Sequence, residues 1–184
     1  MKKKMLLHSC CGPCSTSVIE KLKDEYYLTI FYYNPNIYPE TEYQHRLAEQ
    51  RRYVLDAGLD VVVIDGTYDD SHLFLDGCVG LENEKEGGAR CSMCFAFRLN
   101  KVARYAKEHG FDIFATTLTV SPHKNANVIN NIGLELSKKL NIEYLVADFK
   151  KKDGYLNSIK LSKQFGLYRQ RYCGCKYSLL GGEH

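Results

Sequence analysis

Five short apolar runs constrain this chain more than any other feature. They cover residues 5–9, 28–33, 59–65, 111–118 and 142–149 and are rich in Val, Ile, Phe and Tyr. They lack the strict alternation of a strand with one wet face, so each predicts a strand buried on both sides. Segments with apolar residues at helical spacing lie between them. Val18, Ile19 and Leu22 mark the first. Residues 41–57 carry Tyr43, Leu47, Val54 and Leu55 on one face and end at Gly58, and residues 95–108 carry Phe95, Leu99, Val102 and Ala106 and end near Gly110. Residues 125–140 repeat the pattern with Val128, Ile129, Ile132, Leu136 and Leu140. Strands alternating with helices predict an α/β fold, a single-domain and mostly parallel doubly wound sheet of about five strands. Sites in such sheets lie at the carboxyl ends of the strands.

A chain of 184 residues suits one domain, so residues 1–184 are read as a single unit. Three segments are not scaffold: a two-proline loop at 34–40, an irregular insertion at 67–90, and a Lys- and Tyr-rich tail at 150–184. A loop as long as the insertion is usually functional, and the insertion and tail are expected to complete the site.

Eight cysteines ask for a disulfide framework, a metal site or thiol chemistry. Lys2-Lys3-Lys4 is followed by only three apolar residues before His8, too few for the roughly 7–15 of a secretory signal. No run is long enough to span a membrane. The expected compartment is the cytoplasm, where structural disulfides are rare, so the thiols are assigned to metal or redox work. A net charge of +3 permits a nucleic-acid partner without requiring one.

The first apolar run leads into His8-Ser9-Cys10-Cys11-Gly12-Pro13-Cys14-Ser15, a strand, a tight turn and a helix start with three thiols at the junction. A helix N-terminus favours negative charge and so stabilises a thiolate there. Arg90-Cys91-Ser92-Met93-Cys94-Phe95 offers a Cys-x-x-Cys at another helix start, with both thiols expected in its first turn. Cys10, Cys11, Cys91 and Cys94 thus supply four thiolates, a full complement for a 4Fe-4S cluster or a structural zinc. Adjacent cysteines are expected to diverge and to suit the separate irons of a cluster better than one tetrahedral ion. The competing reading is a cytosolic thiol-disulfide oxidoreductase using Cys11-Gly12-Pro13-Cys14. The chain has no Trp, Pro122 leads into a helix where that fold needs a strand, and dithiol exchange leaves four further cysteines idle. Cys78 stands alone and reads as a buried small hydrophobe or an inert surface thiol. Cys173-Gly174-Cys175 suits a second metal or a redox pair.

Among other polar positions, His8 ends a buried strand and reads as a satisfied core histidine. Ser121 and Pro122 are expected to cap and open the following helix. Capping does not require His123 and Lys124, so these two, with Ser121 and Asn125, are assigned to substrate. Lys150-Lys151-Lys152 reads by default as a solvated turn, and at a strand end Lys151 is also placed to meet phosphate. Tyr168-Arg169-Gln170-Arg171-Tyr172 interleaves rings with guanidinium groups, a composition that stacks on nucleotides.

These motifs, with Gly88-Ala89 before Arg90, Thr117-Leu118-Thr119-Val120-Ser121-Pro122-His123-Lys124, and Phe149 through Tyr155, resemble the QueH-type epoxyqueuosine reductases over nearly the whole chain. The resemblance implies a HUP-class sheet like that of the PP-loop ATPases. Cysteines replace the PP-loop phosphate cradle, so ATP is not expected, nor is cobalamin. It implies reduction of epoxyqueuosine to queuosine at the wobble position of tRNA, with electrons from an external donor. It also implies a 4Fe-4S cluster on Cys10, Cys11, Cys91 and Cys94 with an additional iron close by. Cys14, Cys173, Cys175, Asp69 and Asp153 remain as donors for that second site.

Overall fold

The computed structural model describes residues 2–180. Strand β1 (Lys3–His8) lies at the centre of the sheet, with β2 (Tyr26–Tyr32) and β3 (Val62–Asp65) on one side and β4 (Ile113–Thr116) and β5 (Glu143–Tyr144) on the other. The order is β3-β2-β1-β4-β5 and every pairing is parallel. The chain winds outward one way from β1 and then returns to wind the other way from β4. The crevice between the carboxyl ends of β1 and β4 is therefore the topological switch point, where such sheets bind ligands.

Successive side chains of a strand face opposite ways, and the apolar runs fill both sides. Met5 and Leu7 of β1, Ile30 of β2 and Ala115 of β4 pack against Val18, Ile19 and Leu22 of α1 (Gly12–Leu22) and Tyr53 and Val54 of α2 (Glu40–Asp56). Leu6, Phe31 and Phe114 face the other way, onto Val102, Ala103 and Ala106 of α4 (Ala89–Glu108) and Leu136 and Leu140 of α5 (Ala126–Leu140). The fold is thus the α/β doubly wound sheet that the alternation predicts. Gly58 and Gly110 follow α2 and α4 with φ of 60° and 70°, the left-handed stop read from the sequence. Among the described residues, no helix is long and apolar enough to cross a membrane.

Several boundaries differ from the sequence expectation. The last strand is two residues rather than eight, because its backbone finds other partners. The Ala147 N–H donates to Asn130 Oδ1, the Phe149 N–H to Thr119 Oγ1 and the Lys150 N–H to the Thr119 carbonyl. The fourth run stops at Thr116 and tightens into a 3-10 turn, Thr117–Val120. That turn displaces the next helix start, so Asn125 rather than Ser121 caps α5, its Oδ1 accepting from the Asn127 and Val128 N–H groups. Leu55 points to solvent at 80% exposure. Its place on the buried stripe of α2 is taken by Arg46 and Gln50. The 67–90 insertion contains α3 (Ser71–Gly77), and α4 begins at Ala89, so Cys91 lies in its first turn and Cys94 in its second. The described part of the tail belongs to the core: α6 (Gly154–Gln164) lies against α1, and Leu167 joins the main apolar cluster, with Tyr155 and Phe165 packed against it. Helix α7 (Lys176–Leu180) closes the described chain.

Candidate active site

The turn after β1 is built around its cysteines. Cys11 caps α1, its Sγ accepting from the Cys14 N–H at 3.4 Å, and Pro13 sits in the first turn, where no donor is needed. An extended N-cap followed by a helical turn folds the three sulfurs together, so the Sγ atoms of Cys10, Cys11 and Cys14 all lie within 4.8 Å of one another. Adjacent Cys10 and Cys11 therefore converge here, contrary to the divergence expected of neighbours. Gln50 holds the turn from α2, its Oε1 accepting from Ser9 Oγ at 2.6 Å and Ser15 Oγ at 2.8 Å. Gln170, from the tail, donates to Cys11 Sγ at 3.1 Å, and Thr117 donates to Cys10 Sγ at 3.5 Å.

Hydrogen bonds from Cys11 and Cys14, then Lys124 and Thr117, hold the Cys10 thiol well below its ordinary range. The same contact with Cys10 pushes Cys11 up to about 12 and raises Cys14. A thiol-exchange nucleophile needs an accessible thiolate. Cys11 is fully buried, which does not suit that role.

Cys91 and Cys94 lie with Cys173 and Cys175 around an adjoining cavity. The Gly87 N–H donates to Cys91 Sγ at 3.2 Å, and burial pushes the Cys94 thiol up to about 12. The two cavities share the walls formed by Asn36, Arg98, Lys124 and Cys173, and Cys10 and Cys91 pack on the same apolar cluster of Phe95, Leu99, Leu118 and Ile129. One cleft at the switch point thus holds two groups of thiols. Cys14 stands with Cys10 and Cys11, and Cys173 and Cys175 stand with Cys91 and Cys94.

Buried arginines assemble this cleft. Arg46 on α2 is 2% exposed and donates to the Cys173 carbonyl at 3.2 Å and the Tyr172 carbonyl at 3.4 Å, with Glu42 on its Nε at 2.7 Å. The Tyr38 N–H donates to the Gly174 carbonyl at 2.7 Å and Tyr172 Oη to the Tyr38 carbonyl at 2.6 Å. Gly174 has φ of 128°, and a Cβ there would meet Arg46 Nη1 and Ile37 Cγ1 at 3.0 Å, so glycine is required for the tail to seat. Arg98 on α4, also 2% exposed, lines both cavities.

Of the other residues assigned from sequence, Ser121, His123, Lys124 and Arg169 border the first cavity and Asn125 the second. Burial lowers the Lys124 ammonium, but Cys173, Cys10 and Cys14 outweigh it and raise it overall. Tyr168 does not border either cavity. Its ring stacks on His45 at 4.3 Å and its hydroxyl donates to Glu42. Lys151 is exposed and points to Asp148 at 3.8 Å. Asp69 and Asp153 are exposed, at the approach to α3 and the start of α6, and neither borders the two cavities. Among the described residues, the carboxylate that borders both cavities is Glu86.

His8 is the satisfied core residue its position suggested. Its Nε2 lies 3.0 Å from the Tyr33 carbonyl and must donate to it, so Nδ1 accepts from Thr116 Oγ1 at 2.9 Å. Burial, then Arg98, lowers its pKa to about 4, which keeps the ring neutral. Cys78 is buried against Phe74 and Cys94, and burial raises its thiol.

The sequence profile described as Epoxyqueuosine reductase QueH matches residues 5–180. The chain is 42% identical over 183 residues to the epoxyqueuosine reductase QueH of Staphylococcus epidermidis, covering 96% of this chain and 76% of that protein. It is 42% identical over 178 residues to the protein of that name from Haemophilus influenzae, covering 96% and 71%. For that of Thermotoga maritima the identity is 34% over 176 residues, covering 96% and 90%. The profile match takes in all eight cysteines and runs from the first strand to the last helix, and the chain belongs to the epoxyqueuosine reductase QueH family.

Proposed function

We propose that this protein is an oxidoreductase that converts epoxyqueuosine to queuosine at the wobble position of tRNA, with electrons from an external donor. The observation that carries the reading is the pair of thiol groups facing one cleft at the switch point. Seven cysteines border or cap that cleft.

The residues fit a sulfur-ligated iron group. The donors are soft thiols, and the buried Nη2 of Arg98 has no hydrogen-bond partner among the described residues, as expected beside a site for an anion. Cys10, Cys11, Cys91 and Cys94 are proposed to hold a 4Fe-4S cluster across the cleft, because a cluster takes each thiolate on a separate iron. Cys14, Cys173 and Cys175 then serve an adjacent iron or a redox pair. When bound, these groups supply single electrons and a Lewis acid for removing the epoxide oxygen as water, a change of two electrons and two protons.

The chain's own residues form the nucleotide end of the cleft. Lys124, Arg169 and Arg171 give positive charge, and Tyr155 and Tyr172 give flat surfaces for a base turned out of the anticodon loop. His123 and Ser121 border the same cavity and present a ring and a hydroxyl to polar atoms of the substrate. Residues 1–184 are proposed to act as one domain, with Glu86 of the insertion and Cys173 of the tail closing the cavity.

Anaerobically reconstituted protein is expected to contain about four irons and four sulfides per cluster and to convert epoxyqueuosine in tRNA to queuosine with a chemical reductant. Zinc without sulfide would overturn the reading. The close Cys10, Cys11 and Cys14 sulfurs favour a second arrangement, in which these three form a corner for one metal. Cys14→Ser separates the two: the spanning cluster keeps its sulfide, whereas the three-thiol corner loses its metal. Cys173→Ser is expected to keep the cluster's colour and lose turnover.

A further inference from the structure

The wall between the two thiol groups contains a guanidinium whose hydrogen bonding is incomplete. Arg98 Nε donates to the Cys94 carbonyl at 3.3 Å, and Nη1 donates to Asn34 Oδ1 at 3.1 Å. Asn34 is itself held, its Nδ2 donating to the Ser9 carbonyl at 2.8 Å, one residue before Cys10. The guanidinium carbon lies 5.9 Å from the Phe95 ring centroid. The side chain is therefore fixed by both thiol-bearing segments, yet Nη2 is buried and unpartnered among the described residues. An orphan donor on a buried cation is costly and calls for an explanation.

We propose that Arg98 is the fixed counter-charge of the sulfur-ligated iron group, its Nη2–H reserved as a hydrogen bond to that group from the wall shared by the two cavities. This rests on the iron–sulfur reading above and adds a function to a residue outside the thiol ligands. Reduction adds one electron from the external donor and one negative charge, with no bond made or broken. A buried cation that donates to the site stabilises the reduced form more than the oxidised one, and so raises the reduction potential. Hydrogen bonds to charged groups change an equilibrium by about tenfold or more, which is about 59 mV for a one-electron couple.

The test loads wild-type, Arg98→Lys and Arg98→Gln proteins with iron and sulfide and titrates each with dithionite, following absorbance and electron paramagnetic resonance. The midpoint is expected to fall in that order, by about tenfold in the redox equilibrium (about 59 mV) for Gln, with Lys restoring part of the difference. Wild-type protein carrying 15N-arginine supplies a measurement that needs no variant to fold: a guanidinium nitrogen should couple to the reduced centre. A loaded Arg98→Gln protein with the wild-type midpoint, or no arginine coupling in the wild type, overturns the proposal. Failure of the iron–sulfur reading is seen separately, as wild-type protein that takes up no sulfide.

Discussion

Replacing Arg46 with methionine tests whether one buried cation seats the tail that carries Cys173 and Cys175. Methionine keeps the apolar stem of the side chain and removes the guanidinium. The carbonyls of Cys173 and Tyr172, at 3.2 and 3.4 Å, lose their donor, and Glu42, 14% exposed, loses its ion pair. Hydrogen bonds to charged groups contribute about 1.5–3 kcal/mol each, with these two at the weak end for their length. Breaking a buried pair costs about 3–5 kcal/mol, and removing the cation's own desolvation offsets part of the total. The net expectation is about 3 kcal/mol. With a urea dependence of about 2 kcal/mol/M, the midpoint falls by about 1.5 M if the tail opens with the rest of the fold. If the tail opens alone, the same energy is about a hundredfold in the opening equilibrium. Hydrogen exchange reads this directly at the Tyr38 amide, which donates to the Gly174 carbonyl. A variant with wild-type urea midpoint and wild-type protection at Tyr38 would refute the assignment of Arg46 as the anchor.

Two further outcomes follow from packing and charge. Gly133 on α5 faces the Tyr144 ring so closely that an alanine Cβ would overlap it; Gly133→Ala is expected to cost about 2 kcal/mol and lower the melting temperature by about 4–8 °C, and an unchanged or higher melting temperature would contradict this. Glu49 accepts from the Tyr168 N–H at 2.6 Å, and Arg52 beside it holds its carboxyl below the ordinary value of 4.5. Its contribution is therefore complete above that value and lost as pH falls through the lower folded one. Glu49→Gln should cost about 1 kcal/mol at neutral pH, with the difference closing on acidification; a difference that stays constant down to acid pH would exclude the mechanism.

Much of the frame was legible because it depends on local periodicity. The apolar runs at 5–9 and 28–33 and the stripe Phe95, Leu99, Val102, Ala106 carry the strand and helix repeats in their own residues. Boundaries were less legible where backbone groups found side-chain partners, as at Thr119 and Asn130, which end the last strand early. Arg46, Gln50 and Arg98 went unassigned although a signal was present. Each is a polar residue at a position of an apolar stripe, and a buried polar side chain is more informative than a buried leucine.

Local patterns in the chain place thiols at the end of a central strand and near the start of a later helix, both at the carboxyl edge of a parallel sheet. The grouping of those thiols comes from long-range contacts instead. Cys14 turns back to Cys10 and Cys11 because Cys11 caps α1, and Cys173 and Cys175 reach Cys91 and Cys94 because Arg46 and Gly174 dock the tail. Spacing along a chain sets which way a side chain faces within its own element. Which sulfurs converge depends on strand order and on contacts between residues more than a hundred positions apart, and no local pattern records them.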